Sequence, residues 1–587
     1  MSRLISALCL LPLFACGGGS SSDPDASQTV IDAGQFSDAR DFIDAAPNQL
    51  GCSEDLHEIL DADGNVLETC PLDEGCSEGA CIPACEAAAK SGGNVGCDFY
   101  VSTPHFYTGI APPCFATFVT NNWGSATNIA INRDGQDYSA TDFGRISDGT
   151  LAESQWEPVP ATGLPADDVA VLFLSHDPSS SNGGTPLTCP ITPAISASGG
   201  TAAGFGNDNA TSTTGIAWHI QTDVPVSLYD ILPYGGAASF LPSAQLVMPE
   251  TALGDNFVVS LPKTSGNGTP WLQVLATEDN TSISISPNID FPAGAVPAAA
   301  SGVTSVFTAN AGEYIQWQFG INGNASGSIV SSDQPIAVIG GDSYICYSSQ
   351  TSTGGGCDSA HQVIPPVSAM GMEYVAAPHK SRSAGPESIP YRLTGVVDGT
   401  TLTYDPAVPG APATIGRGEV VDFESTLAFA VTTQDADHPI HLAQMMAGAL
   451  VNNPILANQG DEEFVNVLPP AQFLRRYVFF TDPSYPYTSL ALTRVANANG
   501  EFSDVTIGCI GTVTGWVAAD AAGKFEVATV DLVVNGVGEV DCENGSQTAF
   551  SDQPFGITVW GLASFASYAY PAGGNARTIN DVIIIID

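Results

Sequence analysis

Gly341-Asp342-Ser343 offers a serine hydroxyl, and Asp435-Ala436-Asp437-His438 offers a carboxylate beside an imidazole. Gly206-Asn207-Asp208 adds an amide next to a carboxylate. Together these are the parts of an acyl-transfer site: nucleophile, base with its orienting acid, and oxyanion donor. Serine esterases assembled from such blocks carry the Asn-Asp block between the other two, and here it comes first. His438 also stands in a slot of an internal repeat that Val224, Gln334 and Gln553 fill elsewhere. A residue that three copies replace with Val or Gln is not a conserved base of the repeat, so no catalytic residue is expected and the chain reads as a non-enzyme.

Metal chemistry has equally thin support. Asp358 and His361, three residues apart beside a cysteine loop, are the weak candidates for ligands. A histidine hydrogen-bonded within that loop is the plainer reading. His438 and His441 are also three apart, which on a strand puts them on opposite faces. Asp61-Ala62-Asp63-Gly64-Asn65 with Glu68 has the flavour of a calcium loop, but it lacks the Gly and Glu positions of an EF-hand. No cofactor is expected, and calcium stays open with no motif behind it. HExxH, paired CxxC and P-loop motifs are absent from the sequence.

Contact residues are better represented. Tyr229, Tyr234, Tyr344 and Tyr347 follow apolar strands near Gly-rich turns. Tyrosine gives rigid contact area at low entropic cost. If their loops gather on one face they form a binding surface; otherwise these rings are packing between units.

The elements that must position them repeat. Thr222-Asp223-Val224-Pro225, Ser332-Asp333-Gln334-Pro335, Ala436-Asp437-His438-Pro439 and Ser551-Asp552-Gln553-Pro554 each lead into an apolar run. Their prolines lie about 105 to 115 residues apart, and such self-similarity decides the architecture. Proline cannot donate to a sheet ladder, so it suits the first residue of a strand, and the preceding Asp suits a turn. Leu246-Val247-Met248-Pro249, Val363-Ile364-Pro365-Pro366 and Val467-Leu468-Pro469-Pro470 recur downstream, followed in two copies by Leu253-Gly254 or Met370-Gly371 and in the third by Leu474-Arg475. Each period holds roughly eight strands with their turns. The fold class is therefore all-β: a repeat β-propeller of seven or eight blades, with tandem β-sandwiches as the alternative. The continuously apolar Val582-Ile583-Ile584-Ile585-Ile586 is expected to be a strand buried on both faces that closes the ring.

Residues 1–15 read as a lipoprotein signal peptide. Arg3 precedes a short apolar run, and Leu13-Phe14-Ala15-Cys16 matches a lipobox, making Cys16 the lipidated residue. Residues 16–50 read as the lipidated cysteine and a flexible acidic tether. Gly17 after the cysteine points to the outer membrane, with the protein surface-exposed or facing the periplasm. Residues 51–97 hold Cys52, Cys70, Cys76, Cys81, Cys85 and Cys97, a small disulfide module whose six cysteines allow about 15 pairings. Residues 98–587 form the repeat domain, in which Cys346 with Cys357, Cys509 with Cys542, and Cys114 with Cys189 are the disulfide candidates. With 62 acidic and 15 basic residues, the chain is a poor match for nucleic acid.

Cys97-Asp98-Phe99-Tyr100, Cys114-Phe115-Ala116-Thr117-Phe118-Val119-Thr120-Asn121, Tyr229-Asp230-Ile231-Leu232-Pro233-Tyr234-Gly235-Gly236, Cys357-Asp358-Ser359-Ala360-His361-Gln362 and Phe464-Val465-Asn466-Val467-Leu468-Pro469-Pro470 carry a resemblance. In these stretches residues 50–587 resemble the IgGFc-binding protein N-terminal domain family. The resemblance implies an extracellular binding or adhesion module, with a protein or glycan at the cell surface as partner, and it supplies no catalytic residue. A secreted hydrolase with a site at the ring centre and a structural envelope protein are the alternatives.

Overall fold

The computed structural model describes residues 50–53, 55–61, 64–107, 109–198, 209–239 and 241–586. Cys16, the tether and the Gly206-Asn207-Asp208 block lie outside these residues. Among the described residues strands dominate, and no helix is long and apolar enough to cross a membrane.

Four long strand paths organise the chain, one per period. Trp218–Leu232, Ile329–Ile345 and Gly545–Ala563 are continuous. The third copy is split into Phe429–Thr433 and Ile440–Met446. Each path changes its partner strands near its proline. In the second unit, residues before Pro335 pair with Gly254–Val258 and Thr281–Ser286. Residues after it pair with Pro270–Ala276 and Asp358–Val363. The third and fourth units repeat the arrangement, with Glu373–Ala376 and Leu474–Thr481 as the first partners and Ile389–Gly395 and Tyr487–Val495 as the second. In the first unit, Gly96–Val101 and Phe115–Thr120 take those places.

This corrects two expectations. The long strand of the first, second and fourth units lies in one curled sheet of nine, eight and nine strands, and only the third unit divides into two four-stranded sheets, so the fold is all-β and a count of seven or eight blades is not borne out. The proline is not the first residue of a strand in three of four copies. It sits mid-strand, where the missing N–H is tolerated because the ladder changes partner there, as the register shift between Gln221 and Val226 records. Inside the curl of the second unit's sheet lie Phe257, Leu272, Val274, Ile283, Ile285, Trp317 and Val338, all buried. Burying each side chain of this kind is worth about 1.5–3 kcal/mol.

The aspartate before the proline does have a turn-holding task. Asp223 accepts from the Asn128 N–H (2.8 Å), and Asp333 from the Ser282 N–H (2.7 Å). In the third unit Gln434 does this work, accepting from the Thr401 N–H at 2.8 Å.

The units close into a ring. After each long path comes a short axial strand: Ser243–Val247, Asp358–Val363, Glu463–Asn466 and Ala566–Pro571. Each packs against the next, and the fourth packs against the first. Side chains lace them: Gln362 Nε2 donates to the Ala244 carbonyl (2.9 Å), Asn466 Nδ2 to the Val363 carbonyl (2.6 Å), and the Ala569 N–H to Glu463 Oε2 (3.2 Å). Between the fourth and first units the Tyr229 hydroxyl donates to the Val478 carbonyl at 3.2 Å, within a shared core that includes Phe118 and Phe480.

The C-terminal segment does not behave as expected. Val582–Ile586 forms no strand. Ile584 is buried and exchanges two hydrogen bonds with the Asn256 amide, at 2.9 Å each, while Ile583 and Ile585 are about three-quarters exposed. The segment is half-buried along one side, because a side-chain amide takes the place of a partner strand.

The cysteine module pairs Cys52 with Cys76, Cys70 with Cys81 and Cys85 with Cys97. Cys97 already belongs to Gly96–Val101, so the third bridge ties the module's helix, Ala84–Ser91, to the ring. Trp123 of the first unit donates its indole N–H to the Leu72 carbonyl at 2.8 Å.

Candidate binding face

The axial strands all start at one end of the ring, and the loops at that end are drawn together by one hairpin. Residues 346–357 leave the long strand of the second unit, and the Cys346–Cys357 disulfide closes them before Asp358 opens the axial strand. The Cys346 N–H donates to Ser265 Oγ (3.1 Å) and the Gln350 N–H to Glu424 Oε2 (2.9 Å). The Ser388 N–H donates to Thr351 Oγ1 (2.8 Å), and the Thr353 N–H to the Leu450 carbonyl (3.0 Å). Loops of the second and third units are thus fixed on one frame. Gly354, Gly355 and Gly356 all have positive φ, which lets the hairpin pass close to Leu450 and Asp461. Leu450 and Ile455 stand exposed on this frame at 45% and 61%. Tyr344 stacks on Tyr107 at 4.8 Å, half-buried.

Beneath the hairpin the ring is acidic and sealed. Asp358, Asp461, Glu462 and Glu463 have no solvent exposure. The Tyr347 N–H donates to Glu462 Oε1 (2.8 Å), the Ser567 N–H to Asp358 Oδ2 (2.8 Å), and the Ala449 N–H to Asp461 Oδ1 (3.3 Å). Burial, followed by the Asp461 side chain beside it, pushes Glu462 up to about 10. Burial likewise raises Asp461, and it holds Asp358 and Glu463 well above the ordinary carboxyl range. Arg382 is a cation close enough to act on Asp461, and its guanidinium is engaged by Glu387 and by the Ala447 carbonyl.

Three of the four tyrosines singled out from the sequence are buried, which corrects their assignment as contact residues. Tyr229 is enclosed between the first and fourth units. Tyr234 packs edge-on against Phe173 at 5.0 Å. Tyr347 lies under the hairpin. The chain after each proline runs inward to the axis, so aromatic side chains there become core. Tyr344 alone of the four reaches the face.

Asp358 and His361 do not form a ligand pair. His361 Nε2 lies 2.7 Å from Asp230 Oδ1 of the first unit, and Asp358 faces Ser567 of the fourth. Among the described residues no group of three or more His, Cys, Asp or Glu side chains could hold a metal ion. Ser343 is buried and accepts from the Thr269 N–H at 2.9 Å, whereas His438 pairs with Asp435 in its own turn. Ser343 and His438 are therefore not brought together as nucleophile and base.

Sequence reading missed a Ser-His contact, His176 Nε2 to Ser196 Oγ at 2.9 Å. The Cys189 N–H donates to Nδ1 of the same ring at 2.9 Å. The neutral ring then carries its proton on Nε2 and donates to the serine, so it is the wrong tautomer for a general base. Sequence reading also missed the axial acids. Their signal was three consecutive acids, Asp461-Glu462-Glu463, at the start of an apolar strand.

Cys114 with Cys189 and Cys509 with Cys542 are bonded, each clamping loops of its own unit. At the far end of the axis, Leu246, Met248, Ile364, Leu468 and Pro469 enclose a cavity of about 50 Å³. That is room for water, well short of the few hundred Å³ of a ligand site.

No curated protein matches the chain. Among solved structures, an anti-sigma factor domain-containing protein from Clostridium clariflavum aligns at 8% identity over 59% of this chain and 83% of its own, with a TM-score of 0.12, too low to carry an argument. A family model described as IgGFc binding protein matches residues 243–561, from the first axial strand almost to the end of the last long strand, a shorter span than the resemblance over residues 50–587 implied. Since that match takes in more than half of the sequence and the whole of the loop-bearing second and third units, the chain belongs to the IgGFc-binding protein family.

Proposed function

We propose that the protein is a lipid-anchored cell-surface adhesion module that binds a protein or glycan through the face framed by the 346–357 hairpin. The observation that carries this reading is the lacing of loops from two units onto one disulfide-closed hairpin. Such a frame meets a partner with little ordering cost, and preorganisation of this kind is what raises affinity. Leu450 and Ile455 supply exposed apolar anchors, and Tyr344 an aromatic edge. The carboxylates at the ring centre are sealed from solvent, which favours surface binding over hydrolysis there. The lipobox ending in Cys16 supports a lipid anchor there, and Gly17 after it supports the outer membrane as the location.

The test is a binding screen of the full chain against extracellular-matrix proteins and glycans, repeated with Leu450→Asp/Ile455→Asp. Loss of about tenfold or more in affinity is expected for the double variant, as for other anchor residues. A chain that binds nothing, or a double variant that binds as well as wild type, overturns the assignment. Cys16→Ser should move the protein from the membrane to the soluble fraction, and its retention in the membrane would refute the anchor.

A further inference from the structure

Asp461 and Glu462 sit where three units meet, and each has one oxygen accounted for. Glu462 Oε1 accepts from the Tyr347 N–H, and Asp461 Oδ1 from the Ala449 N–H. Glu462 Oε2 and Asp461 Oδ2 are buried without a donor from any other residue. The two side chains lie within hydrogen-bonding reach of each other. Two carboxylates cannot hydrogen-bond without a proton between them, because neither has a donor.

We propose that Asp461 and Glu462 share one proton at neutral pH, and that this proton fastens the 346–357 hairpin to the ring axis. The acid form of Glu462 donates from Oε2 to Asp461 Oδ2 while its other oxygen holds the Tyr347 amide. Loss of the proton to solvent leaves two adjacent buried carboxylates that repel each other, and the hairpin above them loosens. The groups facing the pair fit this state. Asp358 and Glu463 are further buried acids from the second and third units, themselves held toward the neutral form, and Tyr344 and Tyr347 present phenols from the hairpin strand. Asp342, Asp422 and Arg392 lie beyond Tyr347. Arg382 is the neighbouring cation, and Glu387 occupies it. The surroundings therefore favour a bound proton over a second negative charge. The inference rests on this geometry and not on the binding role, so either can fail without the other.

Glu462→Gln supplies the same two bonds with no titrating proton: its amide nitrogen donates to Asp461 and its oxygen accepts from Tyr347. Thermal unfolding of the full chain is followed across pH for wild type and this variant. Protonation of a buried acid is linked to folding, so the wild-type melting temperature should fall by roughly 5 °C between about pH 6 and pH 9. The variant should lose a measurable part of that slope, with Asp358 and Glu463 keeping theirs. Hydrogen exchange at the Tyr347 amide, corrected for its intrinsic rate, should rise with pH in wild type alone. Equal slopes in the two proteins overturn the proposal. So does a wild-type melting temperature raised by millimolar calcium and lowered again by chelator, since a cation would then fill the gap. Should the variant fail to fold, hydrogen exchange at the Tyr347 amide of the wild type still decides: protection that falls as pH rises supports the shared proton, and protection independent of pH refutes it.

Discussion

The two ends of the ring axis are built on different principles. At the far end three of the units make the same steric joint. A Cβ at Gly96 would lie 2.4 Å from Pro249 Cβ, one at Gly254 2.4 Å from Pro366 Cβ, and one at Gly371 2.5 Å from Pro469 Cβ. The fourth unit reverses the sizes: Leu474 takes the glycine's place, and Gly573, against Leu474 Cδ1, takes the proline's. At the hairpin end nothing repeats. The axial strands begin with Ser243 in the first unit, Asp358 in the second, Glu463 in the third and Ala566 in the fourth, and only the second carries the disulfide hairpin just before its axial strand. The repeated end is the scaffold, held by close packing. The unrepeated end is held by hydrogen bonds and charge, and it bears the loops. In a ring of equivalent units, departure from the repeat marks where one unit has been specialised.

Breaking the charge at the hairpin end should cost most. Arg382 and Glu387 are both buried, and Arg382 also supports the Ala447 carbonyl next to Gly448 and the hairpin. Arg382→Ala strands the Glu387 carboxylate and should lower stability by about 3–5 kcal/mol in chemical denaturation. The far end answers to pH with the opposite sign from the axial acids. His441 lines the apolar cavity, and burial pushes it down to about 4. Its folded value lies below its unfolded one, so its contribution is complete above about pH 6.5 and is lost as pH falls toward 4. The full loss is roughly 3 kcal/mol, with His379, also lowered by burial, adding to it. His441→Gln should flatten the acid limb of the melting curve and leave the alkaline limb unchanged. Next comes the steric joint itself: Gly371→Ala should cost about 1–3 kcal/mol by overpacking against Pro469, with little change at the hairpin.

Much of the scaffold was legible because its chemistry repeats. The Asp-x-Pro segments and the Val-Ile-Pro-Pro type linkers each fall at equivalent places in the ring. Pairs of blades and one curled sheet contain about the same number of strands per period, so strand counting could not separate them. The difference lies in whether the strand through Pro335 keeps one set of partners or changes them, a long-range fact that no local pattern records. Ile583 and Ile585 misled for a related reason: an apolar run signals burial, but only the Asn256 contact decides which side is covered. The binding face was less legible still. Tyr229 and Tyr347 look like loop residues until the axis draws their segments inward, and Asp461-Glu462-Glu463 looks like a solvated turn until Tyr347 and Ser567 close over it.

The smallest effect tests whether a repeat position can change residue without changing task. Asp333 and Gln434 each hold a hairpin to the bend of the long path, through the Ser282 and Thr401 N–H groups. They sit on opposite sides of the comparison between repeat and departure: Asp333 follows the pattern, whereas Asp437, its counterpart in sequence, makes no such bond and Gln434 has taken it over. Asp333→Ala and Gln434→Ala should each cost about 1 kcal/mol, the usual worth of a capping or turn hydrogen bond. Asp437→Ala should cost nothing measurable. Equal losses at Asp437 and Gln434 would mean that the sequence repeat, and not the observed hydrogen bond, identifies the residue that matters at this corner.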